Sequence, residues 1–138
     1  MIQYIAEDVK LPALQKQKTN NWIKETAGGY GKKVGDIAYV FCSDERILEI
    51  NKQYLNHDYF TDIITFDYSE GAVISGDIFI SVDTVKSNAA EFGVEFETEL
   101  LRIVIHGILH LCGQDDKTPE LRIEMTKKEN LALENFTK

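Results

Sequence analysis

Val104-Ile105-His106-Gly107-Ile108-Leu109-His110-Leu111-Cys112-Gly113-Gln114-Asp115-Asp116 carries two of the chain's three histidines, four residues apart, in an almost wholly apolar run. Residues four apart on an α-helix lie one turn above each other on the same face, so both imidazoles can reach a single cation. Gly113 is free to take the left-handed conformation that stops a helix and turns the chain back. Asp115 or Asp116 then supplies a third ligand from the returning segment. Three protein ligands with a fourth position left to water is the pattern of a catalytic zinc site, whereas structural sites are closed by four ligands, usually including cysteines. A buried histidine is more often an ordinary core residue, but a pair in an apolar face needs polar partners, and the carboxylates after the glycine provide them.

Working outward, the helix that holds this stretch begins near Glu95 and runs through Leu100, Leu101, Ile103 and Ile105 to Leu111. After Arg102 it is apolar on every side, which predicts a central position. Upstream, residues 1 to 6 alternate loosely as a strand. A helix start at Pro12 leads to an amphipathic segment ending near residue 27, and Gly28-Gly29-Tyr30-Gly31 breaks it. Asp36 to Cys42 is β-rich and apolar, as in a strand covered on both faces. Ser43 is placed to cap a helix bearing Ile47, Leu48, Ile50 and Tyr54. The polar loop Asn56-His57-Asp58-Tyr59 precedes a strand over Thr61 to Phe66. Ala72 to Ser75 leads through Gly76 into another strand, Asp77 to Ser81. Asp83 is expected to cap a helix that ends at Gly93, and Thr118-Pro119-Glu120 to open a last one reaching about Leu133.

This order of elements predicts an α+β fold: a mixed sheet of about four strands packed against about five helices, with the central apolar helix carrying the metal motif. The 138 residues fit a single domain, residues 1–138, with no linker or repeat. No apolar run is long enough to span a membrane, and the N-terminus lacks the features of a signal peptide, so a cytoplasmic protein is expected. Cys42 and Cys112 are read as buried thiols. Cys112 points to a different helical face from the histidines. A net charge of −8 argues against a protein that coats nucleic acid through its overall field, and leaves room for a local basic groove.

Four stretches carry a family resemblance. Ile50-Asn51 with Tyr54 resembles a Leu-Asn and Tyr pair, and Thr61-Asp62-Ile63-Ile64-Thr65-Phe66 resembles a Thr-Asp-Val-Leu-Ser-Phe strand. Gly76-Asp77-Ile78 matches a Gly-Asp-Ile strand start, and residues 106 to 116 resemble the signature His-Gly-x-Leu-His-Leu-x-Gly-Tyr-Asp-His. Together, across the whole chain, these resemble the YbeY family of metal-dependent endoribonucleases, also described as ribosomal RNA maturation factors. The resemblance implies one zinc ion per chain held at His106, His110 and Asp116, with Mn²⁺ or another divalent ion as an alternative. It implies single-stranded RNA of ribosomal origin as substrate and the small ribosomal subunit as partner. It gives Asp115 an orienting or proton-handling role in catalysis, and offers Asn51, Asp62 and Thr65, with the nearby cation His57, to the substrate.

Two positions depart from the family pattern. Asp116 stands where the family has a histidine; a carboxylate oxygen binds zinc at much the same distance, while the added negative charge favours harder ions. Leu55 stands where an arginine is expected to meet phosphate, with Lys52 and His57 as neighbouring cations. The same spacing of residues 106 to 116 also fits a zinc peptidase, but that chemistry places a glutamate general base after the first histidine, where this chain has Gly107. A non-catalytic ribosome assembly factor that keeps its metal as part of the fold is the other reading.

Overall fold

The computed structural model describes residues 1–55 and 61–137, with Leu55 described by its backbone alone. The elements follow as β1 (Ile2–Ala6), α1 (Lys16–Gly29), β2 (Lys33–Cys42), α2 (Asp44–Leu55), β3 (Ile63–Asp67), β4 (Val73–Ser81), α3 (Val82–Phe92), α4 (Phe96–Leu111) and α5 (Pro119–Phe136). The strands form one mixed sheet in the order β1-β2-β4-β3. β1, β2 and β4 run parallel, and β3 pairs antiparallel to β4 at the edge. The α+β architecture is as the sequence predicts.

Alternation along the strands sorts the sheet into two faces. Ile37, Tyr39 and Phe41 of β2 pair with Gly76, Ile78 and Ile80 of β4, and these side chains join α4 in the main core. The opposite face holds Cys42, Ile64, Phe66 and Phe79 under Ile47 and Ile50 of α2, a smaller core. α4 is the element the main core is built on: Leu100, Leu101, Ile103, Val104, Ile105, Ile108, Leu109 and Leu111 are all buried. Tyr39, fully buried, donates its hydroxyl to the Val104 carbonyl at 2.8 Å and ties the sheet to the middle of α4.

Several boundaries differ from the sequence expectation. α1 starts at Lys16 rather than at Pro12, because Val9, Leu11 and Leu14 pack onto the core along a non-helical segment. β2 starts at Lys33, with a register shift between Val34 and Ile37. Gly35 sits in that bulge, where an added Cβ would lie 2.6 Å from Ser75 Oγ. Gly76 does not interrupt β4: it is the point where the Phe66 carbonyl of β3 comes too close for any side chain. The cap of α3 is Ser81, whose hydroxyl accepts from Thr84 N at 3.2 Å. Asp83, expected there, instead accepts from Asp44 N at 3.0 Å and so caps α2. Ser43 does cap α2, accepting from Arg46 N at 3.2 Å. α5 continues to Phe136.

Candidate metal centre

Glu99, Arg102, His106 and His110 fall at intervals of three, four and four on α4, a polar stripe along an otherwise apolar helix. The helix then ends in a Schellman turn. Gly113 takes φ 101°, its N–H bonds the His110 carbonyl and the Gln114 N–H bonds the Leu109 carbonyl, each at 2.9 Å. The turn reverses the chain and brings residues 115 and 116 back over the last turns of α4. Asp115 Oδ1 accepts from the N–H groups of Asp116 at 2.7 Å and Lys117 at 3.1 Å, fixing the returning loop. Gln114, buried, donates to the Asp115 carbonyl at 2.9 Å and accepts from Lys128.

Asp116 is what the loop presents. Its Oδ2 lies 3.4 Å from His106 Nε2 and 3.5 Å from His110 Nε2. One donor atom from each of the three side chains lies within 4.8 Å of the other two. Donors placed tetrahedrally around zinc at its usual bond lengths are about 3.4 Å apart. Two imidazole nitrogens and a carboxylate oxygen at this spacing therefore fit a divalent ion of zinc's size. The imidazoles stand edge to face with centroids 4.6 Å apart, so the rings do not block each other.

The two imidazoles differ electrostatically. Burial disfavours the His106 imidazolium, but the hydrogen bond and charge of Glu129, with the charges of Asp116 and Asp62, outweigh it and raise the pKa. Burial and the neighbouring His106 charge outweigh Asp116 at His110 and lower its pKa. Behind His106, Nδ1 lies 2.6 Å from Glu129 Oε2 of α5. The other Glu129 oxygen accepts from Arg102 Nη1 at 2.9 Å, and Arg102 Nη2 donates to Asn130 Oδ1 at 2.7 Å.

Of the remaining expected site residues, Asp62 acts electrostatically on His106 and Asp115 on His110. Burial raises the Asp62 pKa, and the charge of His106 partly offsets the rise. The Asp62 carbonyl accepts from Ser81 N at 2.9 Å, which fixes the start of β3. Thr65 pairs with Ile78, half-buried on the face that meets α4. Asn51 is 1% exposed on α2. Asp115 is exposed, with Oδ1 engaged in the turn. His57 and the side chain of Leu55 lie outside the described residues. Glu129 and Arg102 were not anticipated. The Arg102 signal was legible as the cation in the α4 stripe, whereas Glu129 sits among other charged residues of α5 with nothing to mark it as buried.

Glu99 at the head of the stripe is 3% exposed, and burial raises its carboxyl pKa against the pull of Arg102. Above the folded-state pKa the carboxylate is charged in both states and the folded protein bears the desolvation cost; below the unfolded-state value both are neutral and the cost is gone. Glu99→Gln is therefore expected to raise the unfolding free energy at neutral pH, with the gain disappearing as pH falls through the glutamate range. Urea denaturation at a series of pH values measures this, and a gain that persists at low pH would contradict the assignment.

The family model described as endoribonuclease YbeY matches residues 2–137. The chain belongs to the YbeY family. YbeY relatives named as endoribonucleases include that of Phocaeicola vulgatus, 61% identical over 133 residues, covering 96% of each chain. The Parabacteroides distasonis YbeY endoribonuclease is 61% identical over 132 residues, covering 96% of this chain and 93% of the relative. Among solved structures, the solution structure of a Thermotoga maritima protein superimposes with a TM-score of 0.67 at 30% identity, over 99% of this chain and 89% of that one. The YbeY membership agrees with the four stretches that carried the resemblance, which include the one holding the candidate ligands. Among the described residues no helix is long and apolar enough to cross a membrane.

Proposed function

We propose that this protein is a zinc-dependent endoribonuclease that cleaves single-stranded RNA during ribosomal RNA maturation in the cytoplasm, acting on or near the small ribosomal subunit. Two observations support the reading together: membership of a family whose curated relatives bear the name endoribonuclease, and convergence of His106, His110 and Asp116 on one point. His106 Nε2, His110 Nε2 and Asp116 Oδ2 would hold the ion. The chemistry such an ion supplies is Lewis acidity toward water and toward a phosphoryl oxygen of the RNA backbone.

The chain's own groups do the rest. Asp115, exposed in the returning loop with Oδ1 held in the turn, is the carboxylate offered for taking up or passing on a proton. Asp62, half-buried just before β3, is offered to the RNA. Thr65, half-buried on the α4 side of β3, offers a hydroxyl for positioning RNA. His57 and Lys52 are the cations offered to phosphate near Leu55. Asn51, on the same helix as Lys52, is the amide offered to the RNA.

A peptidase reading finds no support in the packing of Gly107, whose missing side chain faces Ile78 and Ile63 rather than the histidines. One assay separates the readings. Purified protein of measured metal content is incubated with single-stranded RNA and, separately, with casein, beside His106→Ala. RNA cleavage is expected, falling at least about a hundredfold in the variant, more than outer-sphere changes cost metal sites. Cleavage that persists in the variant would sink the metal mechanism. Bound metal with neither substrate cut would instead indicate an assembly factor.

A further inference from the structure

We propose that Glu129, held in place by Arg102, is a positioning residue for the metal centre: it fixes the ring of His106 so that Nε2 is the nitrogen aimed at the ion. The inference rests on the metal-centre reading above and extends it to a residue on a different helix. Glu129 is 6% exposed, so its charge has been taken out of water at considerable cost. Both oxygens are engaged, Oε1 by Arg102 at 2.9 Å and Oε2 by His106 Nδ1 at 2.6 Å. An ion pair with one partner buried and the other, Arg102, partly exposed is commonly no more stabilising than apolar side chains of the same volume, so stability alone gives no reason to keep it. A positional role does. An imidazole carries one proton when neutral, and a carboxylate at Nδ1 holds that proton there, leaving the Nε2 lone pair free on the side where Asp116 Oδ2 stands 3.4 Å away. A carboxylate behind a metal-bound histidine also strengthens it as a donor. The arrangement couples three segments: α5 orients α4, and α4 with the returning loop frames the ion.

The test is metal affinity, read independently of RNA cleavage. Zn²⁺ affinity is measured by competition with a chromophoric chelator, and the Co²⁺-loaded protein by its visible spectrum. The double variant Arg102→Met with Glu129→Leu removes the pair while filling its volume, and is expected to fold. It should bind Zn²⁺ about 10- to 100-fold more weakly and show an altered Co²⁺ spectrum. Glu129→Gln, whose amide oxygen still accepts from Nδ1–H, should recover most of the affinity and the native spectrum. A folded double variant with native Zn²⁺ affinity and Co²⁺ spectrum would overturn the proposal. Wild-type protein that takes up neither ion would remove the metal centre itself, a distinct result that overturns both readings.

Discussion

Asp116→Ala is expected to lower zinc affinity by more than about a hundredfold and to remove RNA cleavage, while Asp116→His keeps both. The outer-sphere partners of metal sites typically contribute 10- to 100-fold, and a ligand should contribute more. Without Asp116, two imidazoles on consecutive turns of α4 would remain, a pair without the anionic donor. Asp115 is poorly placed to replace it, because its Oδ1 accepts from the N–H groups of residues 116 and 117 and would have to leave them. Asp116→His restores the donor of the family pattern and removes one negative charge, so zinc should gain on Mn²⁺ in competition. Affinity measured with both ions, alongside cleavage of a single-stranded RNA, checks the whole set. Asp116→Ala protein that binds zinc normally would show that the third donor lies elsewhere, with Asp115 as the first residue to substitute.

The centre was legible in the sequence to the extent that its parts are local. The i, i+4 histidines, the glycine and the carboxylates lie within eleven residues, 106 to 116, and helix periodicity with one left-handed turn is enough to bring them together. The order of strands and helices was legible for the same reason. What escaped depends on distant segments. Glu129 becomes part of the site only because α5 packs on α4, and its burial has no trace in its own neighbours. Asp83 has the chemistry of a cap, yet the cap of α3 is Ser81, two residues earlier, and the carboxylate serves α2 across a tertiary contact. Gly76 reads as punctuation but is a place where the neighbouring strand leaves no room for a Cβ.

Gly107→Glu, the substitution that would complete the peptidase pattern, is expected to cost on the order of 4–5 kcal/mol of stability and to give no casein hydrolysis. His106 and His110 face the returning loop, whereas the intervening position 107 faces the sheet. A Cβ there would lie 3.0 Å from Ile78 Cδ1, 3.1 Å from Ile78 Cγ2 and 3.3 Å from Ile63 Cδ1. Overfilling such a contact typically costs about 1–3 kcal/mol. The rest of the glutamate side chain would have to lie between α4 and the β3–β4 edge, where its carboxylate would be desolvated among isoleucines, a further cost of a few kcal/mol even if it protonates. Together these take up much of the roughly 5–15 kcal/mol by which a domain is normally stable. Gly107→Ala separates the steric part from the charge. Its Cβ would press on Ile78 Cδ1, on the stiff Cγ2 branch of Ile78 and on Ile63 Cδ1, and alanine's gain of about 1 kcal/mol over glycine within a helix offsets part of that cost, so a net loss of about 0–2 kcal/mol is expected. Urea unfolding of the two variants reads both costs. A Gly107→Glu protein as stable as wild type would mean that α4 can move away from the sheet at this point; if it also cut casein, the glutamate would have reached the metal, contrary to the direction in which residue 107 points.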